Sequence, residues 1–262
     1  MKTIVITGGS DGLGKTLTET FSKDNNVIIL ATNEEKNIVK TIEQIQKIKL
    51  KGHTIDYVVI NDGSKDNTKK VCEDNKLNFV NLPLNLGIGG AVQTGYKYAY
   101  EHGYDVAIQF DGDGQHDAAY ISNLVEEIKN GADICIGSRY VAELSEFKST
   151  FIRRVGIRFL SFLIKLCTRK RIYDPTSGFR ASNKEIIKMF ANEYPTDYPE
   201  PDTIVTVIKK GYKVSEIPVK MKERTSGKSS LSSPIKAMFY MVKVSVAIIL
   251  SSMTTRRVKN AK

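Results

Sequence analysis

The residues best suited to chemistry lie in VAIQFDGDGQHD (106–117), where an apolar run ends in Asp111 and Asp113, interleaved with Gly112 and Gly114. Two carboxylates this close raise each other's pKa, and a hard divalent cation removes that repulsion while recruiting phosphate oxygens. Glycines let the backbone turn sharply and approach a ligand, and the C-terminal ends of strands are where open α/β sheets hold theirs. The pattern points to a metal held against a diphosphate, with an acidic surface turn as the plain structural alternative. Two other segments carry matching chemistry. IDYVVINDGSKDNT (55–68) reads as a strand delivering Asp62, able to bond a ribose or base, with Asn67 and Thr68 suited to capping a helix. NLGIGGAVQTG (85–95) is glycine-rich and opens a helix whose N–H groups suit an anion.

Short β-rich runs alternating with helical patterns must position these residues, and that alternation is the mark of an α/β fold with a parallel sheet. The sequence predicts strands at 27–30, 55–61, 79–83, 105–110 and 132–139. Helices are expected at 36–49, from 68 to about 75, and at 89–101, 118–129 and 186–190, with YDPTSGFR (173–180) as a loop and a last helix and strand ending at Pro218. In 36–49 the isoleucines at 38, 42, 45 and 48 recur at helical spacing. No linker or internal repeat divides the chain, and 262 residues suit one sizeable domain.

The net charge of +10 is concentrated late. Between Glu146 and Arg171 eight basic residues face one acid and mix with Phe151, Phe159, Phe162 and Leu166. Arg154, Arg158, Lys165 and Arg169 recur near helical spacing beside an apolar face, which suits an anionic membrane surface rather than nucleic acid. A core-facing helix with a solvated basic face is the alternative. The apolar stretch 234–253 is interrupted by Lys236 and Lys243, which with Ser251 form one stripe, so a helix in the interface or on the basic helix is expected in place of a span. Cys72, Cys135 and Cys167 form no C-x-x-C, and the absence of a signal-like N-terminus agrees with a reducing cytoplasm.

In order and spacing, NEEKN (33–37), VVINDGSKDNT (58–68), NLGIGGAVQTGYKYA (85–99), QFDGDGQHD (109–117), GSRY (137–140), DPTSGFR (174–180), YPEPD (198–202) and RTSGKSS (224–230) resemble glycosyltransferase family 2. The DGDGQH, GSRY and SGFR forms look most like the branch of dolichyl-phosphate mannose synthases and bacterial polyprenyl-phosphate sugar transferases. The resemblance implies a GT-A fold: an α/β, mostly parallel sheet flanked by helices, here with a C-terminal amphipathic or apolar helix. It also implies Mg²⁺ or Mn²⁺, a UDP- or GDP-sugar donor, inversion at the anomeric carbon, and a polyprenyl phosphate or cell-envelope glycan acceptor. Asp111, Asp113 and Gln115 would face the metal and diphosphate, while Asn33, Glu34, Asp62, Gly87, Arg224 and Lys228 would contact the donor. Asp113, Glu200, Arg139 and Arg180 would act at the reacting centre, with Glu200 as base for a hydroxyl acceptor and the two arginines toward phosphates. The expected setting is cytoplasmic, peripheral at the inner face of the cell membrane, with a small membrane partner or a homo-oligomer.

Two departures stand out. Relatives carry P-x-Y-N-E at the first turn, whereas this chain reads Leu30-Ala31-Thr32-Asn33-Glu34, and the usual late lysine is Ser230, with Lys228 nearby. Ahead of the match, residues 1–26 resemble the opening of short-chain dehydrogenases, with Thr7, Gly8, Gly12 and Gly14, and are expected to be a β-α extension. An NAD(P)-dependent oxidoreductase is one alternative, opposed by the lack of any Tyr-x-x-x-Lys; a non-catalytic subunit binding sugar nucleotides or membranes is another. The expected divisions are 1–26, a transferase domain at 27–230, and a C-terminal helix and tail at 231–262.

Overall fold

Every strand whose side chains are described sits in a sheet covered on both faces, which explains why the sequence shows continuous apolar runs there and little alternation. The computed structural model describes residues 3–7, 29–31, 34–48, 50, 55–112, 114–141, 151–197, 199–221 and 234–256. The strands are β1 (Thr3–Thr7), β2 (Ile29–Ala31), β3 (Ile55–Asn61), β4 (Phe79–Asn81), β5 (Val106–Gln109), β6 (Ile134–Ser138), β7 (Arg180–Asn183) and β8 (Val214–Pro218). They join in the order β4-β3-β2-β1-β5-β7-β6-β8. All described pairings are parallel except those of β7, which runs antiparallel to both β5 and β6.

The helices are α1 (Ile38–Gln46), α2 (Thr68–Asp74), α3 (Gly87–Glu101), α4 (Ile121–Lys129), α5 (Phe151–Thr168), α6 (Lys184–Asn192), α7 (Pro199–Lys210) and α8 (Pro234–Thr254). On one face of the sheet, Ile38, Ile42 and Ile45 of α1 and Leu124, Val125 and Ile128 of α4 pack against Val59 and Ile108. On the other, Val58 and Ile60 meet Val92 and Tyr96 of α3, Phe190 of α6, Val205 of α7, Leu160 and Ile164 of α5, and Val244 and Ile248 of α8. This is the double covering expected from an alternating α/β sequence.

One expectation changes. Arg180, expected at the end of the loop 173–180, instead opens a strand that runs through residues 181–183, for which the sequence predicts no element; Arg-Ala-Ser-Asn has little strand propensity, and the place is set by pairing with β5 and β6 on either side. Residues 1–26, expected as a β-α extension, contribute β1 to the same sheet, where Thr3–Thr7 lies between β3 and β5 and pairs with both. There β1 accompanies the first part of β3, and β2 accompanies its end, from Val59 to Asn61. Helix α8 packs on the basic helix α5, one of the two placements expected for it, with Met241 3.3 Å from a Cβ built on Gly156, while its Lys243 pairs with Asp197 at 2.5 Å and its Ser251 bonds Asp202 of α7. No described helix is long and apolar enough to cross a membrane.

Candidate active site

The C-terminal ends of β3 and β5 bring the expected residues to one edge of the sheet. At the end of β3, Asp62 is buried; its Oδ1 accepts the Leu86 N–H at 2.6 Å, and its backbone carbonyl accepts from Asn85 Nδ2. Gly87, the first residue of α3, adopts φ +75°, a conformation open to glycine at little cost. Burial pushes the Asp62 carboxyl up to about 6, against the opposing bonds from Leu86 and Gly87. The NEEKN turn is latched to the DNT turn: the Glu34 N–H donates to Thr68 Oγ1 at 3.0 Å, and Glu35 Oε2 accepts the Asn67 N–H at 3.0 Å. Glu34 Oε2 itself accepts from Asn37 Nδ2.

Beyond β5, Asp111 projects over β7. A Cβ built on Gly178 would stand 3.1 Å from Asp111 Oδ2 and 3.2 Å from Gln109 Nε2, close enough to press both side chains out of place by a few tenths of an ångström. His116 Nε2 lies 3.1 Å from the same Oδ2. The Thr41 hydroxyl of α1 donates to the Gly112 carbonyl at 3.4 Å, tying that helix to the turn. Gln115 is half-buried beyond it. Asp113, Asn33, Arg224 and Lys228 lie outside the described residues, as do Gly8, Gly12 and Gly14.

The two arginines are placed differently from the phosphate-facing expectation. Arg139 forms a buried two-pronged pair with Asp174 through Nε and Nη2, at 2.6 and 2.7 Å, and Nη2 also donates to Thr176. Burial works against charge on both partners, yet the pairing outweighs it, holding Asp174 below the usual carboxylate range and Arg139 above its own. Arg180 pairs in register with Gln109 and points into the protein. Its guanidinium donates to the carbonyls of Ser177, Pro175 and Glu200 and to Thr203 Oγ1. It therefore fixes the first turn of α7. The Glu200 carboxyl is buried there, and the burial raises its pKa against the influence of Arg180. Gln109 approaches it without reaching a bond of ordinary geometry.

Two residues escaped the sequence reading. His116 is one; its signal was the Gln115-His116 pair that follows the acidic turn. Arg153, at the start of α5, is the other. Its neighbours include Arg139, Tyr140, Asp174 and, across on α8, Tyr240, and burial with the Arg139 charge lowers its pKa. Only its membership of a basic helix pointed to it.

Among the described residues no group of three or more His, Cys, Asp or Glu is gathered as a metal cluster. The donor set suits Mg²⁺ or Mn²⁺ in kind, a carboxylate at Asp111 and an amide oxygen at Gln115 being hard oxygen ligands.

Comparison with known proteins gives the family and the fold. Residues 26–190 match the family described as Glycosyl transferase family 2. The UDP-N-acetylglucosamine--dolichyl-phosphate N-acetylglucosaminyltransferase of Methanococcus voltae is 33% identical over 216 residues, covering 74% of this chain and 84% of that protein. The polyprenol monophosphomannose synthase of Mycolicibacterium smegmatis is 26% identical over 215 residues, 79% of this chain and 80% of the relative. Among solved structures, glucosyl-3-phosphoglycerate synthase from Mycobacterium tuberculosis, in complex with Mn²⁺, UDP and phosphoglyceric acid, superposes with a TM-score of 0.65 at 15% identity, covering 91% of this chain and 80% of that one. On these grounds the chain belongs to glycosyl transferase family 2 and is a glycosyltransferase with the GT-A fold.

Proposed function

We propose that the protein transfers a sugar, with inversion, from a UDP- or GDP-sugar to a polyprenyl phosphate at an anionic membrane surface. One observation carries the reading. Asp111, at the sheet edge, lies within electrostatic reach of Arg139, and Arg139 within reach of Arg153 in the first turn of α5, a helix whose outer face is apolar. Relatives named for transfer to dolichyl phosphate and polyprenol support the acceptor class, and the Mn²⁺ and UDP bound by the structural neighbour support the donor class and the metal.

In this reading Asp62 receives the nucleoside, with Asn33, Glu34 and Gly87 around it. Asp111, Asp113 and Gln115 would hold Mg²⁺ or Mn²⁺, which when bound supplies positive charge against the leaving diphosphate. Arg224 and Lys228, by residue type, would stabilise the same charge. Arg153 adds a cation beside Arg139, where an acceptor phosphate can be met. Such an acceptor arrives as an anionic nucleophile and needs no proton removed. Glu200, sealed beneath α7 with Arg180 on its backbone carbonyl, then acts as a positioning residue, and Arg139 and Arg180 act by holding the GSRY and SGFR segments in place.

The surface fits the same proposal. Val155, Phe159, Phe162 and Leu166 form one exposed stripe on α5, and Phe239, Val242, Val246, Ile249 and Met253 form another on α8. The two helices touch where Met241 lies 3.3 Å from a Cβ built on Gly156. Exposed Arg154, Arg158, Lys165 and Arg169 flank them, the pattern of a surface that settles among anionic headgroups.

The test is a panel of UDP- and GDP-sugars with Mn²⁺ and undecaprenyl phosphate, following nucleotide release and radiolabelled lipid. Metal-dependent label in the lipid is expected with one donor, and Asp111→Ala should lower turnover by ~100-fold or more, the scale of a lost electrostatic stabiliser. Near-normal turnover of Asp111→Ala would overturn the metal assignment; release without lipid labelling would overturn the acceptor.

A further inference from the structure

We infer that His116 is a positioning residue for the metal-facing carboxylate: its Nε2–H holds Asp111 in the rotamer that directs its other oxygen toward the cation. The inference rests on the metal reading proposed above. The geometry comes from two contacts. Asp111 Oδ2 lies 3.1 Å from His116 Nε2. On the opposite side the carboxylate rests on Gly178, where a Cβ would stand 3.1 Å from Oδ2 and 3.3 Å from Oδ1. A carboxylate bounded by a bare Cα below and a fixed N–H beside it has little freedom left at χ1 or χ2.

His116 is itself immobilised. Its ring is buried, with the Phe110 ring 5.6 Å away and the Phe179 ring 5.0 Å away between centroids. Its backbone forms an antiparallel bridge with Met221, three residues before Arg224 in the chain. The tautomer follows from hydrogen-bond chemistry. A carboxylate oxygen only accepts, so the proton sits on Nε2; Nδ1, buried and without a partner among the described residues, is then a bare lone pair and not an orphaned donor. A buried N–H without an acceptor costs more than an unused lone pair in an aromatic pocket. The arrangement is the outer-shell device by which proteins aim a metal ligand, here with the histidine supporting the carboxylate.

The measurement is Mn²⁺ affinity of the full chain in the presence of UDP, read by the loss of free-Mn²⁺ EPR signal, alongside the thermal midpoint without metal. His116→Phe keeps the aromatic packing and removes the donor. It should weaken Mn²⁺ binding by 10–100-fold, the usual loss when an outer-shell partner is removed, while moving the metal-free midpoint little. His116→Gln places an amide nitrogen near the position of Nε2 and His116→Asn near that of Nδ1, so His116→Gln should bind Mn²⁺ at least ~10-fold more tightly than His116→Asn. That pair decides the matter even where His116→Phe fails to fold. Unchanged affinity in His116→Phe, or equal affinities in the Gln and Asn variants, overturns the role of His116 and leaves the proposed function standing. A wild-type chain with no Mn²⁺ binding in the presence of UDP overturns both.

Discussion

At the scale of single residues, the buried carboxylates divide by whether a counter-charge accompanies them. Asp62 has backbone N–H bonds but no cation near it among the described residues, and burial lifts it from 3.8 to about 6. Its folded pKa exceeds its unfolded one, so between about pH 4 and pH 6 the folded state binds more protons, and stability falls as pH rises through that window. Asp62→Asn removes this cost while keeping an acceptor for Leu86. Its melting midpoint should equal that of the wild type near pH 4 and exceed it by a few degrees, roughly 2–4 °C per kcal/mol, at pH 7; UDP affinity, by the proposed role, should drop in the same variant. Thermal scans across pH, with and without UDP, check both. Asp174 is the opposite case. Its folded pKa is depressed by Arg139, so its contribution is complete above the ordinary carboxylate range and is lost as pH falls through the depressed value. Asp174→Ala strands the buried Arg139 guanidinium and should cost about 3–5 kcal/mol in denaturant unfolding at pH 7.

At the scale of elements, the site depends on how α3 and α7 are seated. The Gly89 N–H of α3 donates to the Thr196 carbonyl at 3.2 Å, and a Cβ there would fall 2.1 Å from the Pro195 carbonyl oxygen. The backbone of residues 195–196, just ahead of α7, therefore lies directly on the first turn of α3. Helix propensity favours alanine by about 1 kcal/mol, but a clash with main chain cannot be relieved by a rotamer change. Gly89→Ala should lower stability by ~1–3 kcal/mol, displacing the turn that carries Glu200 and lowering turnover. Gly156→Ala is the control: its Cβ would meet only the flexible Met241 side chain, at 3.3 Å, and the midpoint should stay within about 2 °C. The Arg180 clip binds the same turn of α7 from below, so the SGFR strand and α7 move together or not at all.

At the scale of the whole molecule, the apolar stripes of α5 and α8 lie side by side, flanked by arginines, and the foot of α5 reaches the site through Arg153. Sedimentation with vesicles rich in anionic lipid is expected to be strong at low salt and to weaken several-fold by 0.5 M, because headgroup attraction is screened while apolar burial is not. Failure to sediment at low salt would remove the membrane from the proposal. The sequence by itself determined the alternation of strands and helices, the chemistry at the ends of β3 and β5, and the basic, apolar character of α5. Each is written in local periodicity or in side-chain type, which the residues carry with them. The tertiary structure decided what depends on neighbours far along the chain. RASN became a strand between two others. Arg139 and Arg180, equally fit for phosphate by type, were drawn onto Asp174 and onto the carbonyls of 175, 177 and 200. His116 gained a role only when Phe179, Gly178 and Met221 closed around it. The physical reason is common to all three: a guanidinium or an imidazole bonds whatever acceptor burial leaves within about 3 Å, and folding chooses that acceptor from segments that local sequence cannot see.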